Sequence, residues 1–195
     1  MKFLEVGANH LKGPEWNFID TQNLPGAIVH DMREPLDFIQ DNTYNGIYSE
    51  HFIEHLDKDL GSNALKEFYR ILKPGSRLRI IWPNIEVVNR LNSDEDLSND
   101  PLVKIYGEFI QNLNWNTPGK KFDRPQDKCA DAILYQADEH KYLWGINEMI
   151  TELTNIGFSS VFQEKYGCSS FEPFNKLDTP SRLRFLHSGV VEAIK

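Results

Sequence analysis

Gly46-Ile47-Tyr48-Ser49, then Gly61 to Leu72, then Arg77-Leu78-Arg79-Ile80-Ile81-Trp82 form a short apolar run, a stretch of helical periodicity and a second apolar run. In the middle stretch Leu65, Phe68 and Leu72 recur at i, i+3 and i+7, with Lys66, Glu67 and Arg70 on other faces, which predicts a one-sided helix. Lys73-Pro74-Gly75 is expected to stop it and turn the chain into the next strand. Strand, crossover helix and strand in this order make a βαβ unit, a right-handed connection in nearly every protein. Upstream, three further runs read as strands: Lys2 to Gly7, Trp16 to Asp20 and Ala27 to Asp31. Downstream, Trp144 to Ile156 has helical spacing and stops at Gly157-Phe158, and Ser160 to Tyr166 and Ser188 to Ile194 are strand-like. Short apolar runs of this kind belong to parallel strands covered on both faces, so the expected class is α/β with a mostly parallel sheet.

At 195 residues, 40% of them apolar, the chain is expected to form one domain with a core that needs no disulfide or metal to hold it. Its 29 acidic against 21 basic residues leave a net charge of -8, which repels phosphate backbones and argues against a nucleic-acid partner. No apolar run reaches the roughly 20 residues that span a bilayer, and Glu5 interrupts the opening where a signal peptide needs apolar residues. The expectation is a cytoplasmic protein without a membrane partner; its oligomeric state is not legible. Cys129 and Cys168 are the two cysteines and form no C-x-x-C pair, which fits a reducing compartment and excludes a cysteine zinc site.

In an open parallel sheet, ligands bind beyond the carboxyl ends of the strands. Those ends are polar here: Gly7-Ala8-Asn9, Asp20, His30-Asp31, Ser49-Glu50-His51 and Pro83-Asn84. A glycine in the first turn lets backbone amides approach a ligand, and an acid ending the second strand can accept hydrogen bonds from ribose hydroxyls. Together they describe a slot for a nucleoside.

Phe3-Leu4-Glu5-Val6-Gly7, Asn17-Phe18-Ile19-Asp20 and His30-Asp31-Met32-Arg33-Glu34-Pro35-Leu36, continued by Ser49 to Leu56 and Leu72-Lys73-Pro74-Gly75, resemble the class I S-adenosylmethionine-dependent methyltransferases. The pattern is most similar to a small subgroup associated with glycan biosynthesis. The resemblance implies a Rossmann-like sandwich with an antiparallel C-terminal strand and an abbreviated first helix. It implies S-adenosyl-L-methionine as cofactor, with Gly7, Ala8 and Asn9 in the turn at its methionine portion and Asp20 on its ribose. Asp31 and the Met32 amide would face the adenine, while Ser49 and Glu50 would line the wall nearest the methionine group. Asn9 replaces the second glycine of the usual turn, and the short first connection leaves room for only a single helical turn or a loop.

Asn92 to Tyr142 departs in composition, polar and rich in Asn and Asp around an expected helix at Pro101 to Leu113, and reads as an insertion that forms a lid or substrate-binding segment. The expected reaction is methyl transfer to a small-molecule or saccharide acceptor, at oxygen. Histidine suits a general base near neutral pH, and His140 and His51 compete for that role. A non-catalytic cofactor-binding or partner-binding module is the alternative. His51-Phe52-Ile53-Glu54-His55 also spells H-x-x-E-H, which on a helix would put His51 and His55 on one face, as in a zinc hydrolase. The motif directly follows a strand inside the methyltransferase-like block, so no metal is expected, and His55 reads as a packed histidine at a helix start. Lys120, Lys121, Arg124 and Lys128 make a locally basic stretch, read as a solvated loop or a contact for an acidic substrate.

Overall fold

The computed structural model describes residues 1–7, 12–109 and 113–195. One seven-stranded sheet holds β1 (Phe3–Val6), β2 (Trp16–Asp20), β3 (Ala27–Val29), β4 (Tyr44–Glu50), β5 (Leu72–Pro83), β6 (Ser160–Gln163) and β7 (Ser188–Ile194), in the order β3-β2-β1-β4-β5-β7-β6. The first five strands pair in parallel, and β7 runs antiparallel to both β5 and β6. After β1 the chain moves outward through β2 and β3 and returns on β1's other side as β4. The order therefore reverses between β1 and β4, where a sheet of this kind opens a crevice. The described residues between β1 and β2 contain no helix.

The helices are α1 (Lys58–Ile71), α2 (Ile85–Leu91), α3 (Pro101–Phe109), α4 (Pro125–Tyr135), α5 (Ile146–Ile156) and α6 (Arg182–His187). α1 starts earlier than its apolar spacing predicts because Asp57 caps it, accepting a hydrogen bond from the Leu60 amide at 3.0 Å. Lys73-Pro74-Gly75 does not separate helix from strand. β5 begins at Leu72, and its register on β4 jumps from Tyr44↔Leu72 to Gly46↔Arg77, so the turn is absorbed as an irregularity within one strand. Gly75, at φ +75°, supplies the left-handed backbone this needs.

Period-two alternation gives the sheet two unlike faces. Leu4, Val6, Ile19, Ile47, Leu78, Ile80, Trp82, Val191 and Ala193 form one core cluster with Leu65 and Phe68 of α1 and with Met149 and Leu153 of α5. The alternate positions carry Glu5, Tyr48, Glu50, Arg79 and Glu192, all buried, so the second face is not the apolar surface expected of a doubly covered strand. A segment after β6 covers this face, with Tyr166, Phe171, Phe174 and Leu177 packed on Tyr48, Ile81 and Val190. Arg79 is fully buried; its Nε donates to Asp178 at 2.9 Å and its second nitrogen to Glu192 at 2.7 Å, with a further bond to Asp178.

Residues 92–142 differ from the polar insertion predicted. α4 buries Cys129, Ala130, Ala132 and Ile133 against Val88 and Leu91 of α2 and Leu102, Val103 and Tyr106 of α3, a second core of its own. α3 covers Pro101–Phe109 among the described residues, and Leu113, its expected end, is not helical, residues 110–112 lying outside the description. Much of the basic stretch is paired internally, Lys120 with Asp131 at 2.5 Å and Arg124 with Asp127 at 2.6 Å.

Removing one side of a buried ion cluster leaves uncompensated charge, which costs about 3–5 kcal/mol. Arg79→Met is expected to lower unfolding stability by about that amount in urea titration, because Asp178 loses its cation and Glu192 is left with Arg77 alone.

Candidate functional site

The crevice at the carboxyl ends of β1 and β4 is built around Gly7. Its φ of +89° is left-handed, and a Cβ there would lie 2.5 Å from the Phe52 Cβ, so the position accepts only glycine without rearrangement. Gly7 lines a cavity of about 440 Å³ together with Asp20, His30, Asp31, Met32, His51 and His55. Three carriers of the predicted nucleoside slot, Gly7, Asp20 and Asp31, thus face one space, as does Met32. Ala8 and Asn9, also expected there, lie outside the described residues. One Asp20 oxygen accepts from the Gln22 amide at 2.8 Å, which fixes the carboxylate at the end of β2. Asp31 accepts from the Arg33 amide at 3.0 Å and from its guanidinium, and these bonds hold its carboxyl down at about 2.

A second cavity, of about 530 Å³, adjoins the first and shares Gly7, His51 and His55 with it. Its other walls are aromatic residues of α3 and the following segment, Tyr106, Phe109 and Trp115, and polar residues near α6, Thr179, Arg184 and His187. Glu50 belongs to this second space, and Ser49 lines neither cavity, its buried hydroxyl having no hydrogen-bond partner. Glu50 is held by the hydroxyls of Tyr166 at 2.6 Å, Thr179 at 2.8 Å and Tyr48 at 2.9 Å, and by Arg184 at 2.9 Å. Burial would raise its pKa, but these bonds and the Arg184 charge outweigh burial and keep it at about 2. It is an ionised anchor for the wall. A third cavity of about 570 Å³ lies between Pro101 and α6 and includes none of the strand-end residues of the predicted slot.

His51 follows β4 in a left-handed conformation, φ +52°, and residues Ile53–His55 form a 3-10 turn. The H-x-x-E-H stretch is therefore not an α-helix, and His55 precedes α1 rather than starting it. His51 places Nδ1 3.3 Å from Glu54 and Nε2 3.0 Å from the Ser188 hydroxyl. His140 lines neither cavity. It is buried with Nδ1 2.6 Å from the Ile133 carbonyl, and burial lowers its pKa below the usual histidine value. His55, Arg184, His187, Tyr106 and Trp115 were not among the sequence candidates for these walls. Arg184 and His187 sit on a six-residue helix too short for its spacing to declare it.

Residues 11–80 match the family described as "Methyltransferase domain". No curated protein sequence matches the chain. Among solved structures, an S-adenosylmethionine-dependent methyltransferase from Archaeoglobus fulgidus aligns over all of this chain and 86% of its own, at 17% identity and a TM-score of 0.56. A 1,6-didemethyltoxoflavin-N1-methyltransferase from Burkholderia thailandensis, with bound 1,6-didemethyltoxoflavin and S-adenosylhomocysteine, aligns over 99% of this chain and 70% of its own, at 15% identity and a TM-score of 0.56. A possible histamine N-methyltransferase from Thermotoga maritima covers 100% and 82%, at 14% identity and a TM-score of 0.51. The chain spans 61% of a matched Bordetella parapertussis protein and 46% of a polyketide synthase methyltransferase domain. At these identities the structures establish the fold, that of the Rossmann-like methyltransferases. The methyltransferase-domain match runs from the residues before β2 into β5. No helix among the described residues is long and apolar enough to cross a membrane.

His187 donates Nδ1–H to the Leu183 carbonyl at 2.7 Å, and burial pushes its pKa from 6.5 down to about 3. The folded protein thus binds fewer protons there than the unfolded chain between those two values. The stability this contributes is complete above pH 6.5 and declines as pH falls toward 3. His187→Phe should make unfolding free energy, measured in urea from pH 6 to 4, fall less steeply by nearly one proton; an unchanged slope refutes the assignment.

Proposed function

We propose that the chain transfers a methyl group from S-adenosylmethionine in the smaller cavity to a hydroxyl of a small, saccharide-like acceptor in the larger one. The single observation that carries this reading is the pair of adjoining cavities meeting at Gly7, His51 and His55. In it, Asp20 receives the ribose hydroxyls, Asp31 and the Met32 amide take the adenine edge, and Gly7 lets the methionine end reach the seam. Tyr106 and Trp115 offer flat apolar faces and Arg184 a donor, a mixture suited to a ring bearing hydroxyls. Residues 92–142 supply the aromatic wall, which supports a covering role for that segment in a single-domain enzyme working in the cytoplasm. The net charge disfavours nucleic acid as acceptor.

The proposed base is His51 rather than His140, since His51 borders both cavities and His140 neither. Glu54 orients Nδ1, and Nε2, now facing the Ser188 hydroxyl, takes the acceptor proton. The acceptor oxygen then attacks the methyl carbon in line as the carbon–sulfur bond breaks, and the electron pair leaves on a neutral thioether. Holding the two partners within about 3–3.5 Å contributes most of the acceleration, on the order of 7–11 kcal/mol.

Calorimetry with S-adenosylhomocysteine should show binding, weakened by about 1–3 kcal/mol in Asp20→Ala through loss of charge-assisted hydrogen bonds. No binding by the unaltered chain, or equal binding by the variant, sinks the cofactor assignment. Incubation with a labelled methyl donor and a saccharide panel should label an acceptor. His51→Asn should cut that turnover by about 100- to 10,000-fold while leaving S-adenosylhomocysteine affinity intact. Binding without turnover on any acceptor would favour the non-catalytic module.

A further inference from the structure

Beneath the seam lies a polar cluster of which the methyl-transfer reading uses only the contact of Glu54 with His51. Glu54 is fully buried, and neither carboxylate oxygen receives a hydrogen bond of good geometry. His140 faces it, Nε2 4.0 Å from Glu54 Oε1, its side chain 1% exposed and that nitrogen likewise unpartnered. A carbonyl oxygen only accepts, so the 2.6 Å contact with Ile133 fixes the proton of the neutral ring on Nδ1 and turns the Nε2 lone pair toward the carboxylate. Two acceptors therefore confront each other in the interior, and the donor nearest the carboxylate, His51 Nδ1, lies 3.3 Å from the same Glu54 oxygen. His55 repeats the arrangement: its Nδ1 lies 3.2 Å from the Glu139 carbonyl, which leaves its Nε2 as a lone pair. One ligand atom from each of Glu54, His55 and His140 lies within 4.8 Å of the others.

We infer that Glu54, His55 and His140 bind one divalent first-row transition-metal cation, of the zinc or cobalt type. Two imidazoles and one carboxylate are a donor set that such ions favour over magnesium. Both histidines also have the outer support common to metal ligands, a backbone carbonyl on the far ring nitrogen that fixes tautomer and orientation. His51, 3.3 Å from the same carboxylate, supports Glu54 from outside the set. The three ligands come from the 3-10 turn after β4 and from the chain just before α5, and the turn's backbone is tied to that chain by the Lys141 amide donating to the Glu54 carbonyl at 2.7 Å.

His55 lines both cavities, so the open side of the cation faces the seam. A hydroxyl bound there becomes easier to deprotonate, which would select acceptors able to ligate a metal through oxygen. This second step rests on the methyl-transfer reading; the cation site does not.

The full chain, stripped with a chelator and dialysed, is titrated with cobalt(II) while visible d–d absorption is recorded, then with zinc, and with magnesium as a control. Saturation at about one cobalt ion per chain, displacement by zinc and indifference to magnesium are expected. His55→Asn, at the least buried ligand, and Glu54→Gln should each weaken cobalt binding at least about tenfold, with folding checked by circular dichroism. Absence of the cobalt spectrum, or a spectrum that His55→Asn leaves unchanged, overturns the site. S-adenosylhomocysteine calorimetry on the same samples separates the two ideas. Cofactor binding without cobalt binding removes the metal alone, and cobalt binding without cofactor binding removes the methyl-transfer reading alone.

Discussion

Arg79 lies wholly inside the protein between Asp178 and Glu192, and the position of the site's outer wall follows from that arrangement. A guanidinium there is tolerable only if carboxylates reach it with good hydrogen-bond geometry. Glu192 does so from the neighbouring strand β7, but Asp178 must come from the long connection after β6. That requirement ties the connection down across the sheet, and the residue after Asp178 is Thr179, whose amide and hydroxyl bind Glu50. Arg184, in the first turn of the helix that follows, completes the grip on Glu50. A buried charge cluster that itself lines neither cavity of the crevice thereby sets the wall of the larger one.

The two faces of the sheet solve the burial problem by different means. The face under α1 and α5 is apolar, and dispersion and solvent release hold it. The opposite face buries carboxylates, tyrosines and arginines, and the bonds that join Tyr48, Glu50, Arg79, Asp178 and Glu192 must be met together, which fixes one arrangement of the covering segment. A layer of this kind costs desolvation energy, but it is specific: few alternative placements of residues 164–179 would pair every charge. The cluster at Glu54 continues the theme at the crevice, with one carboxylate, three histidines within reach and few protons to share.

The class of fold and several residues of the smaller cavity were legible from the chain alone. The helix between β4 and β5 showed in the spacing of Leu65, Phe68 and Leu72, and the polar strand ends put Gly7, Asp20 and Asp31 on one edge. These features are local: a glycine after a strand and an acid at a strand end keep their meaning whatever packs above them. His140 was a different matter. Imidazole chemistry made it a candidate base, yet its ring lies inside, on the Ile133 carbonyl, because α4 buries a helix face that its mixed composition did not declare.

Sequence by itself determined the seven strands, the helices at α1, α3 and α5 and the residues at the first two strand ends, since these follow from period, turn chemistry and short-range geometry, while the order of the sheet came from the resemblance to the class I methyltransferases. Only the tertiary structure decided which polar residues meet: Glu50 with Thr179 and Arg184, Glu54 with His140, and the aromatic wall of α3 with the crevice. Those partners lie tens of residues apart in the chain. The grip on Glu50 is imposed by the need to satisfy buried charge in three dimensions, and the meeting of Glu54 with His140 by the packing of the chain before α5 on the turn after β4; no local window of sequence contains either condition.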